Sequence, residues 1–318
     1  MTVTNIPSPE DNPFFLIKVR HIFGWYCLLA LGIIFQLAMI NSTRGIPFDG
    51  KTLLDDPFVD KIASTYVEIL LLALVWRQCR LAGIEIKYLV GKVPDHYQWF
   101  PLVRLALAHV FFSIGAFYLF YYPLSFIVPS FVEKILIDNI NNSILITASK
   151  TFAPAMYYLI LTIHSCAIEP ILSAFIFIAI MLHRWAAKWG NIPAIIALCL
   201  FFCVGSFSPY FFKYIIAVLI YVILYEKTRS LLVVIIFIAL ENIIGTSLYL
   251  SSTIFFDEQT GTTLDVFRSE VQLGILFFVV SAPWVIGFIY KNWSVLKGPL
   301  PYFANASEAE KIKADSET

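Results

Sequence analysis

From Cys166 to Gly245 the chain reads CAIEPILSAFIFIAIMLHRWAAKWGNIPAIIALCLFFCVGSFSPYFFKYIIAVLIYVILYEKTRSLLVVIIFIALENIIG. Four apolar runs fill this stretch and its immediate continuation: Ala167 to Leu182, Ile192 to Phe207, Phe211 to Leu224 and Leu231 to Leu248. The polar breaks between them are short. They are His183-Arg184-Trp185-Ala186-Ala187-Lys188-Trp189-Gly190-Asn191, the Ser206-Phe207-Ser208-Pro209 turn, and Glu226-Lys227-Thr228-Arg229-Ser230. Spanning helices need ~18–20 apolar residues, whereas strands of a membrane barrel alternate apolar and polar positions. These runs approach the helical length and do not alternate. The pattern predicts a block of four membrane helices, and the activity of the protein is expected inside it.

Working outward, the whole chain has the composition of a bilayer protein. Of its 318 residues 59% are hydrophobic and only 14% charged, with mean hydropathy +0.79. A soluble domain carries about 25% charged residues. Formal net charge is zero, which excludes a nucleic-acid role resting on bulk basicity. The cysteines Cys27, Cys79, Cys166, Cys199 and Cys203 lie mostly in or beside apolar runs. Cys199 and Cys203 share a helix face, but buried cysteine usually serves as a small hydrophobe. No metal site, cofactor or disulfide framework is expected.

The first apolar run, Ile22 to Ile40, is too long for the core of a cleavable signal and reads as an anchor helix that stays in place. Further spans are expected at about Ala63 to Trp76, Pro101 to Tyr122 and Leu273 to Tyr290. Basic clusters lie at 18–20, 77–92, 184–188, 227–229 and 291–297. By the positive-inside rule all five face the cytoplasm only if one run between Pro101 and Leu182 fails to cross. Ile144 to Ile163, interrupted by Lys150 and Pro154, is the one expected to fail. The fold class is therefore all-α: a polytopic transmembrane bundle of about eight spans with both termini cytoplasmic. Its expected division is a cytoplasmic arm (1–22), N-terminal membrane helices (23–165), the core helices (166–250), a loop and last span (251–292) and a polar, exposed tail (293–318).

From Ser173 to Asn242 the block resembles the CPBP family of intramembrane endopeptidases, the CAAX-processing and bacteriocin-processing (Abi) proteins. In that family one helix carries Glu-Glu-x-x-x-Arg and ends in a basic stretch closed by an aromatic and Gly. Trp189-Gly190 matches that close. A second helix carries Phe-x-x-x-His, matched in part by Phe202. Tyr225 to Leu232 is similar to the family's following turn, and Ala239-Leu240-Glu241-Asn242 to the end of its last motif, His-x-x-x-Asn. The resemblance covers about a quarter of the chain and implies a four-helix core in a bacterial inner membrane.

The family's reactive groups are mostly replaced. Its paired glutamates fall on Ser173 and Ala174, its arginine on Ile178, and its two histidines on Ser206 and Ile238; the Asn is kept as Asn242. Peptide hydrolysis needs a base to deprotonate water and donors for the developing oxyanion. Serine, alanine and isoleucine supply no such base near neutral pH. The resemblance therefore implies a scaffold, regulator or immunity-type protein that binds the transmembrane segment of a partner without cutting it.

Ionisable residues within spans are functional candidates by default. Glu68, His164, Glu169 and Glu241 are the four singled out. One alternative is an active peptidase rebuilt on Glu169 as base, with His164, Glu241 and Asn242 assisting. Otherwise Glu169 and His164 lie at headgroup level beside a helix start, and Glu241 bonds Asn242, Ser173 or Ser206. A third alternative is a small-molecule or lipid transporter with a path lined by Glu68 and Glu241. His183, Arg184 and Lys188 are expected to set topology. The lipid bilayer is the one partner common to all these readings.

Overall fold

A computed structural model describes residues 12–43, 56–141, 147, 151–205, 211–255 and 263–316. Among the described residues the fold is entirely helical. The principal helices are α1 (Val19–Thr43), α2 (Pro57–Leu81), α3 (Ile86–Val90), α4 (Trp99–Ile127), α5 (Pro129–Asn141), α6 (Pro154–Trp189), α7 (Asn191–Gly205), α8 (Phe211–Thr228), α9 (Leu231–Phe255), α10 (Thr263–Ser269), α11 (Val271–Asn292) and α12 (Pro301–Ser316). Five of them, α1, α4, α6, α9 and α11, contain stretches long and apolar enough to cross a membrane. This is an integral membrane protein. Of the other expected crossings, α2 carries Asp60, Lys61, Glu68, Arg77 and Arg80, α8 carries Lys213, Glu226 and Lys227, and α7 has only 15 residues.

The largest departure from the sequence expectation is α6. The sequence separates the runs Ile144 to Ile163 and Ala167 to Leu182 and places a boundary at 165/166. Instead one 36-residue helix runs through that boundary and on across the His183–Trp189 break. It survives Pro170 by changing its winding. Proline has no N–H to offer and its ring crowds the carbonyl four residues back. Two π-helical stretches, His164–Ile168 and Ser173–Met181, flank the proline, and the Glu169 N–H donates to the His164 carbonyl five residues earlier. Single π turns inside α-helices are frequent at functional sites.

The four core helices α6 to α9 pack on one another in sequence, and α9 returns to lie along α6. α4 and α11 form the tightest pair. A Cβ on Gly115 would sit 2.6 Å from the Phe278 backbone N, and one on Gly274 would sit 2.4 Å from the Tyr118 side chain. Small residues at such crossings let membrane helices approach closely.

The described part of the arm and the tail, the latter expected to be exposed, are built into the bundle. In the arm, Phe14 and Ile17 are fully buried, and Phe14 stacks on His183 at 4.7 Å. The tail forms α12, and Leu296, Leu300 and Tyr302 are buried. Arm, α3, α12 and the α8–α9 turn form a layer over one end of the bundle. Tyr225 donates to the Leu89 carbonyl (2.6 Å), and Asn305 to the carbonyls of Tyr88 (2.8 Å) and Arg229 (3.0 Å). Gly91 closes this layer at φ +65°, where any Cβ would lie 1.9 Å from the Arg229 carbonyl oxygen. Only glycine fits there.

At the opposite end Asp56 starts α2. Its Oδ1 accepts from the N–H groups of Phe58 (2.9 Å) and Val59 (3.3 Å), as an N-cap should. It also accepts from the Thr151 hydroxyl (2.7 Å), while Oδ2 accepts from the Phe152 N–H (3.0 Å). One carboxylate thus ties together the starts of α2 and α6.

Candidate functional site

Two polar clusters flank α9, and consecutive residues build them. Neighbours on a helix point about 100° apart, so Glu241 and Asn242 face different helices.

Glu241 turns toward α4 and α8. The Tyr221 hydroxyl donates to its Oε2 at 2.5 Å, and His109 Nδ1 is hydrogen-bonded to Oε1. His109 is fully buried, and Tyr221 and Glu241 are nearly so. His109 Nε2 has no partner. This is a closed, buried cluster. Among the described residues the hydrogen bonds of Glu241 go to Tyr221 and His109 and not to Asn242 or Ser173.

Asn242 turns toward α6. Its Nδ2 donates to the Ser165 carbonyl (2.8 Å) and lies 3.4 Å from Glu169 Oε2. Glu169 Oε2 is also 4.0 Å from His164 Nδ1, and His164 Nε2 contacts Glu68 Oε2 of α2 at 2.8 Å. Lys61, seven residues before Glu68, is near enough to feel the charge of both carboxylates. The winding explains the convergence: a π turn brings residues five apart onto one face, and His164 and Glu169 are five apart. His164 is buried and Glu68 largely so, but the Glu169 side chain remains 46% exposed. Glu169 and His164 were expected beside a helix start; they stand instead in the middle of α6.

Positions matching the family's reactive groups lie in hydrocarbon. Ala174 and Ile178 are completely buried and Ile238 is 4% exposed, all within the main apolar core. Ser173 is half-buried. Phe202 packs edge-on against Phe177 at 4.9 Å. Ser206 lies outside the described residues. The polar side chains of α6, His164 and Glu169, lie nearer its start than Ser173, Ala174 and Ile178.

His183 is more than a topology marker. Its Nδ1–H donates to the Ala179 carbonyl (2.5 Å), and Nε2 accepts from the Tyr302 N–H (3.3 Å), so it pins α12 to α6. The Cys199 and Cys203 thiols point to the carbonyls of Ile215 (3.8 Å) and Phe211 (3.7 Å). No grouping of three His, Cys, Asp or Glu side chains suited to a metal occurs among the described residues.

Sequence reasoning missed His109, Tyr221 and Lys61. His109 had a signal, since it is an ionisable residue inside the apolar run of α4 and the rule that singled out Glu68 applies to it equally. Tyr221 had none; one tyrosine among 16 is recognised only by its contact. No protein-family model matches the chain, and no curated protein or solved structure matches it either.

Proposed function

We propose that this chain is a CPBP-type helical bundle of a bacterial inner membrane that holds a partner's transmembrane segment without cleaving it. The partner lies against the face where α2, α6 and α9 meet. In this reading α1, α2, α4, α6, α7, α8, α9 and α11 all cross, giving eight passes. The arm, α3, the α8–α9 turn and α12 then face the cytoplasm with the basic clusters, as the positive-inside rule asks.

One observation carries the proposal: a half-exposed carboxylate, Glu169, inside the span. At 1.5 Å per residue Glu169 lies about 22 Å from Arg184, and Asn242 about 16 Å from the start of α9, within a hydrocarbon layer about 30 Å thick. Charge at such depth is costly against lipid and characteristically faces protein or water. His164, Glu68 and Asn242 cover part of Glu169. A donor from a partner helix would cover the rest. Polar contacts of this kind are worth only about 0.6–2 kcal/mol each, so packing along the groove supplies the remaining affinity.

A second reading, a peptidase using Glu169 as base, draws on the same convergence, because His164 and Asn242 both lie near that carboxylate. Transport along a path lined by Glu68 and Glu241 is less favoured, since the two carboxylates belong to separate clusters. The test is to reconstitute the full chain with candidate single-span membrane proteins and follow both retention and length. Retention of an intact partner, reduced in Glu169→Gln, is the expected result. Shortened partner that disappears in Glu169→Gln would establish the peptidase instead.

A further inference from the structure

We propose that the cleft between the start of α4 and the end of α11 is a binding site for an anionic phospholipid. The cleft has a volume of about 350 Å³ and is walled by Pro101, Arg104, Trp284, Phe288, Lys291 and Asn292 among others. It stands apart from the α2–α6–α9 face, and the two proposals are independent.

Charge complementarity decides the occupant. Arg104 and Lys291 have no carboxylate partner among the described residues. The Arg104 guanidinium lies 4.2 Å over the Trp284 ring and 5.7 Å from Phe100. Stacking occupies its face and leaves the in-plane N–H donors free for an oxyanion. Lys227 reaches the same place, 6.0 Å from the Phe288 ring that lines the cleft. The remaining walls are apolar, with Pro101, Leu105, Pro283 and Gly287. Two chemistries therefore meet in one cleft, cationic side chains and apolar walls, matching a phosphate headgroup and its acyl chain. Phe100 and Trp284 are 71% and 55% exposed, so the cleft opens sideways to the bilayer. Basic pockets between membrane helices on the cytoplasmic side bind anionic headgroups in this manner.

The test uses the intact chain in vesicles that mix dibrominated phosphatidylcholine, which quenches tryptophan, with unbrominated phosphatidylglycerol. The Trp284 signal is taken as the difference between wild type and Trp284→Phe. Each basic residue near the surface favours an anionic lipid roughly fivefold. Phosphatidylglycerol should therefore relieve Trp284 quenching well beyond its mole fraction. The double variant Arg104→Gln, Lys291→Gln should lower that preference by roughly 25-fold on the same scale, and Arg104→Lys should keep most of it. Relief in simple proportion to mole fraction in wild type, or an unchanged preference in the double variant, overturns the proposal. So does relief by added inorganic phosphate, which would place a free anion there. Quenching that depends on protein density rather than lipid identity would place a second copy of the chain in the cleft, with the same consequence.

Discussion

Replacing Glu241 with leucine tests the buried cluster beside α9 most sharply. The substitution removes the acceptor of the Tyr221 hydroxyl and of His109 Nδ1 together. His109 Nε2 already lacks a partner, so the imidazole would be left with none. A buried donor stripped of its acceptor costs about 1–3 kcal/mol, and the substitution strands two donors. Glu241→Leu should therefore lose about 2–6 kcal/mol. The triple variant Glu241→Leu, His109→Leu, Tyr221→Phe removes every member of the cluster and leaves apolar surface against apolar surface. It should recover to within about 1–2 kcal/mol of wild type, because replacing all partners by apolar groups is close to neutral. Equilibrium unfolding in mixed detergent micelles measures both. A triple variant as unstable as the single one, or losses that simply add, would refute the reasoning.

Asp56→Asn should weaken the clamp between α2 and α6. Burial alone would raise the Asp56 carboxyl, but hydrogen bonds from Thr151, Phe152, Phe58 and Val59 outweigh it and hold the group below its ordinary value. Its stabilisation is thus fully present above the unfolded value of about 3.9 and is lost as pH falls through the lower folded value. The melting gap between wild type and Asp56→Asn should be constant above about pH 5 and should close in stronger acid; a gap that widens in acid contradicts this. Gly274→Val forces α4 and α11 apart and should cost about 1–3 kcal/mol by thermal melting. Gly24→Ala, with nothing within 4 Å of the new methyl, should cost nothing. Phe14→Ala should cost about 3–5 kcal/mol and expose the arm to limited proteolysis, whereas an arm as resistant as in wild type would show that Phe14 is no anchor.

The sequence made the helical class and the core runs legible because bilayer helices must be long and apolar, and that constraint is local. It hid the continuity of α6, since Pro170 looks like a break, yet π winding absorbs Pro170 without ending the helix. The capping layer was hidden for a related reason. Phe14, Ile17, Leu296 and Tyr302 lie in apolar patches of only a few residues, too short for a helical period to announce them. Within the candidate site, His164, Glu169 and Asn242 were identified and do converge. Glu68 was weighed alone, and its pairing with His164 depends on how α2 packs on α6. Glu241 hydrogen-bonds Tyr221 and His109 while its neighbour Asn242 reaches α6, since a step of one residue on a helix turns the side chain by about 100°.

The most direct measurement of partner binding places a photo-crosslinking amino acid at Ile243, which is exposed and follows Asn242, in the full chain in native membranes. The expected product is an adduct to an apolar segment of a second protein, recovered at that protein's full length, with its yield lost in Glu169→Ala and in Asn242→Ala. Adducts to lipid alone, or a protein adduct whose yield ignores both substitutions, would contradict the proposed function.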